Sequence, residues 1–462
     1  RPAPRPRRSW CCARGGGRMG GAGRRGGARA LAAALLGALL GVRGRARGAA
    51  GSGGGLQCLG PGGDAVDWWV AYKLPRGAAA AYWDATGAAL PAVNVSDRRS
   101  ALGRTMEQAY ADGVAYVFYN DEVYDKLPGA GGAVGREVRA EACVSDAWDN
   151  SWAHGKGVVA ANADTGFWLT HSVPGLPLNS TLSGAEWSFP EGQQLYAQTF
   201  LCLSASAGDL DSLSAAFLHS RPYVYDTNLG ADGVASQFLP KMSEWVGTYW
   251  EIQRGQEWLS FETLGGLHLQ VFGHWPLEGA AWDWNVWEDV VAPHLQSDMI
   301  VETWCDGHTG GGTDKACLPP VCDRPQQVVE AYTMDFGGGE FRNTDDHGKW
   351  GLSTTREQGA WLCFGDLNRM SSQRFRGGGV VCFQEEGLWE AWRAGITAHQ
   401  ECSEPEHPEW ASARRRAAEE QGRRPALRGG QGSLGWETKM DDKLFCHDAS
   451  GDGVADCCNR WR

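Results

Sequence analysis

The feature that most constrains this chain is a duplication. His154-Gly155-Lys156 is followed, 14 and 15 positions after the histidine, by Trp168-Leu169, and His347-Gly348-Lys349 is followed at the same two offsets by Trp361-Leu362. With 11 His and 8 Lys among 462 residues, chance yields about 0.2 His-x-Lys triplets. Two triplets with the same centre and the same downstream pair point to two related halves of one body, divided between residues 226 and 300. Residues two apart on an extended segment share a side, so each motif projects an imidazole and an ammonium together. Halves related by a pseudo-twofold axis would bring both pairs to a common seam.

That set of groups suits a phosphodiester. Lys156 and Lys349 offset phosphate charge, one of His154 and His347 attacks phosphorus while neutral, and the other donates a proton to the leaving oxygen. Two ammonium groups do the electrostatic work of a cation, so neither metal nor cofactor is expected. Asn368, in Gly365-Asp366-Leu367-Asn368, is a candidate amide donor to phosphate. The matching stretch of the first half is His171-Ser172-Val173-Pro174, where His171 is either a third catalytic imidazole or a supporting residue. Asp345 and Asp346 precede His347 and are placed to orient it.

Charge narrows the partners. The chain holds 43 basic and 55 acidic residues, but residues 1–50 contain 12 Arg and no Lys, Asp or Glu, which leaves the remainder at −24. So acidic a body is no general nucleic-acid coat, because phosphate neutralisation needs basic surface. A polyanion must be met at a small site, or at a pH that charges histidines, whose ordinary pKa is about 6.5. The thirteen residues from Ala30 to Val42 are apolar or small, preceded by Arg24, Arg25 and Arg29 and followed by Ala49-Ala50-Gly51. This is the pattern of a secretory signal over 19–50, with Met19 as initiator and 1–18 as a leader before it. Thirteen residues fall short of the ~20 that span a bilayer, so no membrane span is expected in the mature chain. Asn94-Val95-Ser96 and Asn179-Ser180-Thr181 are glycosylation sequons. Twelve cysteines remain after the leader without paired C-x-x-C spacing, which reads as disulfides rather than zinc.

Mixed α and β is the expected class. Aromatic and β-branched runs predict strands at Val66–Lys73 and Ala115–Tyr119, and a hairpin joins 157–161 to 166–170. Leu388, Trp389 and Trp392 share one face of a helix. Residues 403–462 are rich in Arg, Glu and Gly and read as a disordered charged tail, leaving a body at 58–402.

The chain resembles the deoxyribonuclease II family, whose members resemble phospholipase D in folding as a pseudodimer of two α-β-α halves around two H-x-K motifs. The similarity runs through Trp68-Trp69-Val70-Ala71-Tyr72-Lys73-Leu74-Pro75, Tyr119-Asn120-Asp121, both motifs, His171-Ser172-Val173-Pro174, Gly365-Asp366-Leu367-Asn368-Arg369 and Arg376-Gly377-Gly378-Gly379. It implies halves at about 58–226 and 227–402, and an acid endonuclease that cuts DNA without metal to 3′-phosphate and 5′-hydroxyl ends, lysosomal or secreted. His347 takes the place of the family's essential histidine, with His154, Lys156, Lys349 and Asn368 as its other pocket residues. The resemblance further implies disulfides Cys58–Cys202, Cys322–Cys402 and Cys363–Cys382, a possible Cys305–Cys317, and no partner for Cys143. Gly replaces the hydroxyl residue that relatives often carry in the centre of each triplet. The alternatives are another phospholipase D-like phosphodiesterase, though the longer aspartate-containing motif is absent, and a non-catalytic, polyanion-binding secreted glycoprotein.

Overall fold

A computed structural model describes residues 55–402 apart from 123–151, 178–188, 231–233, 249–252, 276–283, 305–319, 371–372 and 374–375, together with the backbone of 446–447 and 456–457. The proposed leader and signal, Asn179, Cys143, Cys305, Cys317 and nearly all of the charged tail lie outside the described residues.

Period-two patterning builds two large sheets in a mixed α/β fold. After a small hairpin of β1 (Cys58–Leu59) and β2 (Ala65–Val66) come β3 (Trp68–Lys73), β4 (Ala79–Asp84), β5 (Ala89–Asn94), β6 (Ala115–Asn120), β7 (Lys156–Ala161), β8 (Thr165–His171), β9 (Gln198–Ser206) and β10 (Val224–Thr227), which form a sheet of order β10-β6-β7-β8-β9-β3-β4-β5. The second sheet uses β11 (Gly255–Glu262), β12 (His268–Trp275), β13 (Met299–Thr303), β14 (Val328–Met334), β15 (Phe341–Arg342), β16 (Lys349–Ser353), β17 (Trp361–Gly365) and β18 (Gly378–Gln384) in the order β11-β12-β18-β17-β16-β13-β14-β15, with β19 (Ile396–His399) beside β14. Helices α1 (Ala101–Ala109), α2 (Ala207–Ser220), α3 (Pro240–Thr248), α4 (Ala292–Leu295) and α5 (Glu386–Gly395) accompany them. Among the described residues no helix is long and apolar enough to cross a membrane.

Alternate side chains of each strand serve different cores. On β3, Trp68, Val70 and Tyr72 enter a cluster shared by both sheets, whereas Trp69 and Ala71 pack into a second cluster with α1. On β16, Trp350 and Leu352 join the shared cluster, and Met299, Val301, Cys363 and Cys382 fill a third behind the second sheet. Trp392 of α5 is fully buried and meets Tyr72 and Trp83 from the first sheet with Trp350 and Phe364 from the second. Its truncation to alanine would cost about 3–5 kcal/mol.

Five strands recur in one arrangement. The run β6-β7-β8-β9-β3 of the first sheet is matched by β13-β16-β17-β18-β12 of the second, antiparallel at every pairing. The hairpins carrying the two triplets differ in register, however. Gly157 pairs with Thr170, but Trp350, which follows Lys349 as Gly157 follows Lys156, pairs with Phe364. The second hairpin is one residue longer, which turns every downstream side chain to the other face. Trp168 accordingly enters the shared core and Leu169 the outer one, while Leu362 enters the shared core and Trp361 packs against the outer one. The repeated Trp-Leu pair is a coincidence of spacing, and only the triplets correspond.

This register explains the cysteines. Leu169 pairs with Cys202 across β8 and β9, and Cys363 pairs with Cys382 across β17 and β18. Cys363–Cys382 closes within the second sheet, while Cys58 reaches Cys202 from the amino-terminal hairpin. Cys322–Cys402 ties the end of the body to the segment before β14. Asn94 ends β5 with an exposed side chain.

Candidate active site

Both triplets sit at the entry to a strand. Lys156 opens β7 and Lys349 opens β16, each with its histidine two residues earlier. Each lysine folds back on its own motif: Lys156 Nζ donates to the His154 carbonyl at 3.3 Å and Lys349 Nζ to the His347 carbonyl at 2.6 Å. The shared local shape follows from the shared sequence.

The surroundings differ. Asp121, the residue immediately after β6, takes Lys156 Nζ on Oδ1 at 2.5 Å and Arg376 Nη2 on Oδ2 at 2.6 Å. His154 Nε2 lies 3.5 Å from Glu122 and 3.8 Å from Asp121, and its Nδ1 meets Gln373 Oε1 at 3.1 Å. Burial opposes charge on Asp121, but Lys156, His154 and Arg376 outweigh it and hold the carboxyl well below the usual range; Lys156 and His154 do the same for Glu122.

Around the second motif burial opposes charge on the acids. Asp346 is fully buried and accepts from the Tyr72 hydroxyl and, at 2.7 Å, from Gly348 N. Glu302, on β13, shares a hydrogen bond with Asp346, and burial next to Asp346 and Glu330 pushes its carboxyl far up. A carboxylic acid facing a carboxylate donates its proton to it, so Glu302 is a neutral donor here. Burial, then the neighbouring Lys156, lowers Lys349 to about 8. Asp345, the other acid before His347, instead pairs with Arg76 at the surface at 3.5 Å.

Charges of the first motif reach the second. The charge of His347 is biased by Lys349 of its own motif and by Glu122, Lys156 and His154 of the other. Its ring stacks on Tyr196 at 4.0 Å between centroids, with Trp304 at 4.6 Å, and its backbone N–H donates to Ala197. Tyr196 is fixed because the buried Lys73 ammonium gathers the carbonyls of Leu74, Gly77 and Gln194 at 2.9–3.0 Å. Each motif is thus framed by the other sheet's loops: Tyr196 and Ala197 hold the second, and Gln373 and Arg376 hold the first.

The central glycines now have a physical reason. A Cβ on Gly155 would fall 2.8 Å from Asp366 Oδ2, and one on Gly348 would fall 2.9 Å from Asp346 Oδ1. Carboxyls occupy the space where a side chain would stand.

His171 accepts the Val173 N–H on Nδ1 at 3.1 Å, so its neutral ring carries hydrogen on Nε2, a buried donor without a partner among the described residues. His347 Nε2 and Asn368 Oδ1 are likewise buried and unpartnered among the described residues. Asn368 is held by its neighbour Arg369, which donates to Glu288 at 2.9 Å and Glu330 at 2.8 Å, while its backbone N–H donates to Thr303. Burial, reinforced by neighbouring lysines, lowers His154 to about 4 and His171 and His347 to about 3. The expectation that these imidazoles charge near pH 5 therefore fails for the free site, because dehydration and adjacent ammonium groups oppose it.

Oxygen and nitrogen atoms of Asp121, Glu122 and His154 lie within 4.8 Å of one another, a spacing that could hold a cation. Lys156 and Arg376 already occupy both Asp121 oxygens, so a divalent ion would have to displace two positive groups. The donor set fits an ammonium better than a metal.

Comparison with known proteins agrees with this constellation. The deoxyribonuclease II family profile matches residues 57–402. The chain belongs to the deoxyribonuclease II family. It is 31% identical over 362 residues to a putative deoxyribonuclease-2 of Burkholderia thailandensis, covering 71% of this chain and 88% of that one. It is 30% identical over 366 residues to deoxyribonuclease-2-alpha of Sus scrofa, covering 76% and 91%. Cell-death-related nuclease 7 of Caenorhabditis elegans is 27% identical over 377 residues, covering 77% and 90%. This member of the deoxyribonuclease II family is a nuclease of the hydrolase class.

Sequence reasoning missed Asp121, Glu122, Glu302, Tyr196, Trp304, Gln373, Arg376 and Asp366 as members of the site. Only Asp121, Asp366 and Arg376 lay within stretches already singled out, and none was distinguishable there from a loop residue.

Proposed function

We propose that the chain is an acid endodeoxyribonuclease that hydrolyses DNA without metal, leaving 3′-phosphate and 5′-hydroxyl ends, with the two H-x-K motifs of a phospholipase D-like pseudodimer, halves at about 58–226 and 227–402, as its catalytic groups. The observation that carries this reading is that loops of each sheet hold the other's motif, with Gln373 at 3.1 Å from His154, Arg376 on Asp121 and Tyr196 stacked on His347, next to buried imidazole nitrogens that lack partners among the described residues. A phosphodiester would bring negative charge beside Lys156 and Lys349 and an oxygen for the buried, unpartnered N–H of His171.

In the reaction, an imidazole nitrogen of one motif attacks phosphorus while the imidazolium of the other gives its proton to the departing 5′-oxygen. Water, deprotonated by that second imidazole, then displaces the first and leaves the 3′-phosphate. Binding the phosphate monoanion raises both low histidine pKa values, so the proton the leaving group needs enters with substrate at acid pH. This accounts for acid preference better than titration of the free site. Delivery through the secretory route to a lysosomal or extracellular setting accords with that pH, with the signal at 19–50 and with glycosylation at Asn94 and Asn179. Cleaving plasmid DNA at pH 5 in EDTA tests the reading. Products with 3′-phosphate and 5′-hydroxyl ends, lost in His347→Ala, are expected; opposite end groups or inhibition by EDTA would refute it.

A further inference from the structure

Arg376 belongs to the loop before β18, yet its side chain is built into the other half. Nε donates to the Trp152 carbonyl at 3.0 Å, and Nη2 donates to Asp121 Oδ2 at 2.6 Å and to the Ala153 carbonyl at 3.3 Å. The residue is buried, 8% exposed. Trp152 and Ala153 are the two residues before His154, and Asp121 is the acid that grips Lys156. One guanidinium thus clamps the backbone that delivers the histidine and the carboxylate that holds the lysine. We infer that Arg376 is the positioning residue of the first motif, supplied by the opposite half, and that it sets both the aim and the proton affinity of His154. This rests on the proposed role of His154 in catalysis.

Three features favour this over simple packing. A planar fork meets two carbonyls and a carboxylate from two separate nitrogens held in fixed geometry, which an ammonium on a flexible stem does not reproduce. The glycines after it let the loop approach: a Cβ on Gly377 would lie 2.1 Å from the Ser220 carbonyl, and one on Gly378 would lie 2.5 Å from Asp366 Oδ1. The charged groups near His154 among the described residues are also defined. Lys156 and Arg376 push its proton off, Asp121 and Glu122 favour it, Gln373 holds the far nitrogen, and His347 of the second motif is within electrostatic reach. Removing the arginine deletes one of two opposing cations and unbalances Asp121.

The test uses the full-length chain with histidine side chains isotopically labelled, the His154 resonance being assigned by its absence in His154→Gln. In Arg376→Gln, the His154 titration is expected to move to higher pH and kcat on DNA to fall about 100-fold, the loss a small misplacement of catalytic groups produces. KM should change far less. Arg376→Lys keeps the charge but not the fork, so its His154 titration should stay near wild type while kcat remains reduced. Thermal melts of both variants establish that they fold. A folded Arg376→Gln protein whose His154 titrates as in wild type, or whose kcat is unchanged, overturns the inference, and so does full activity in Arg376→Lys. Failure of wild type to cut DNA would overturn the nuclease reading instead, leaving the titration result to stand alone.

Discussion

The two His-Gly-Lys motifs share a backbone shape and differ in the charge around it. The first is ionised: Asp121 and Glu122 are held below the usual carboxylate range among Lys156, His154 and Arg376. The second is more strained: burial pushes the Glu302 and Asp346 carboxyls up, and burial and Lys156 lower Lys349 to about 8, which still leaves it a cation at acid pH. The sequence holds two copies of a histidine–lysine pair, and their different neighbours make them unequal. Acid–base chemistry at one phosphate needs that inequality, because identical imidazoles cannot hold one proton between them in a defined order.

The comparison can be broken most directly by removing the histidines. His154→Ala and His347→Ala should each lower the rate of DNA cleavage by about 10⁴-fold or more, and the double variant should be little worse than either, since groups acting as a unit are not additive. A single variant with substantial activity, measured by plasmid nicking at pH 5, would show that one motif suffices. The next largest effect sharpens the charge contrast. Asp121→Asn strips the shared counter-charge from Lys156 and Arg376 and should cost about 100-fold. Glu302→Gln should stay within about threefold of wild type, because an amide donates to Asp346 as the protonated acid does. A large loss in Glu302→Gln would mean that Glu302 is a carboxylate paired with Lys349.

Binding gives a smaller, continuous measure. His154 and His347 titrate near 4 and 3 in the free site, and a bound anion raises both values, so binding takes up protons. Inorganic phosphate should bind about tenfold more tightly at pH 4.5 than at pH 7.5 by calorimetry, and His347→Ala should flatten that slope. The smallest effect is on stability. Asp366, half-buried, is pushed up to about 7 by burial, so it favours the fold at low pH and withdraws that support as pH rises from about 4 through 7. The loss is on the order of 3 kcal/mol by pH 7.5. Asp366→Asn should therefore narrow the gap between melting temperatures at pH 5 and pH 7.5. The buried histidines act in the opposite sense: their lowered pKa values withdraw stability as pH falls below about 6.5.

Local signals in the sequence were legible where local forces decide. The run Trp68–Lys73 is a strand with alternating faces, the 156–171 hairpin forms, and Leu388, Trp389 and Trp392 lie on the buried face of α5. The expected strand from Val66 breaks at Asp67, whose carboxyl accepts from Thr263 and Gly265 instead. The reactive pairs stood out because two rare residue types recurred together. Their supports did not, since Arg376 meets Asp121 across 255 positions and Tyr72 meets Asp346 across 274. No periodicity encodes contacts so distant. The added residue in the second hairpin was invisible for a related reason: strand register depends on pairing, which matched spacings in the sequence do not reveal.

The three disulfides seen among the described residues each join cysteines on one side of the 228–254 connection: Cys58 to Cys202 before it, Cys322 to Cys402 and Cys363 to Cys382 after it. A protease that severed the chain between Thr227 and Gly255 would leave two fragments clasped by interleaved rings and by the arginine clamp, with none of these three bonds linking them. A cut between Cys322 and Cys402, by contrast, would leave its pieces covalently tethered by that bond.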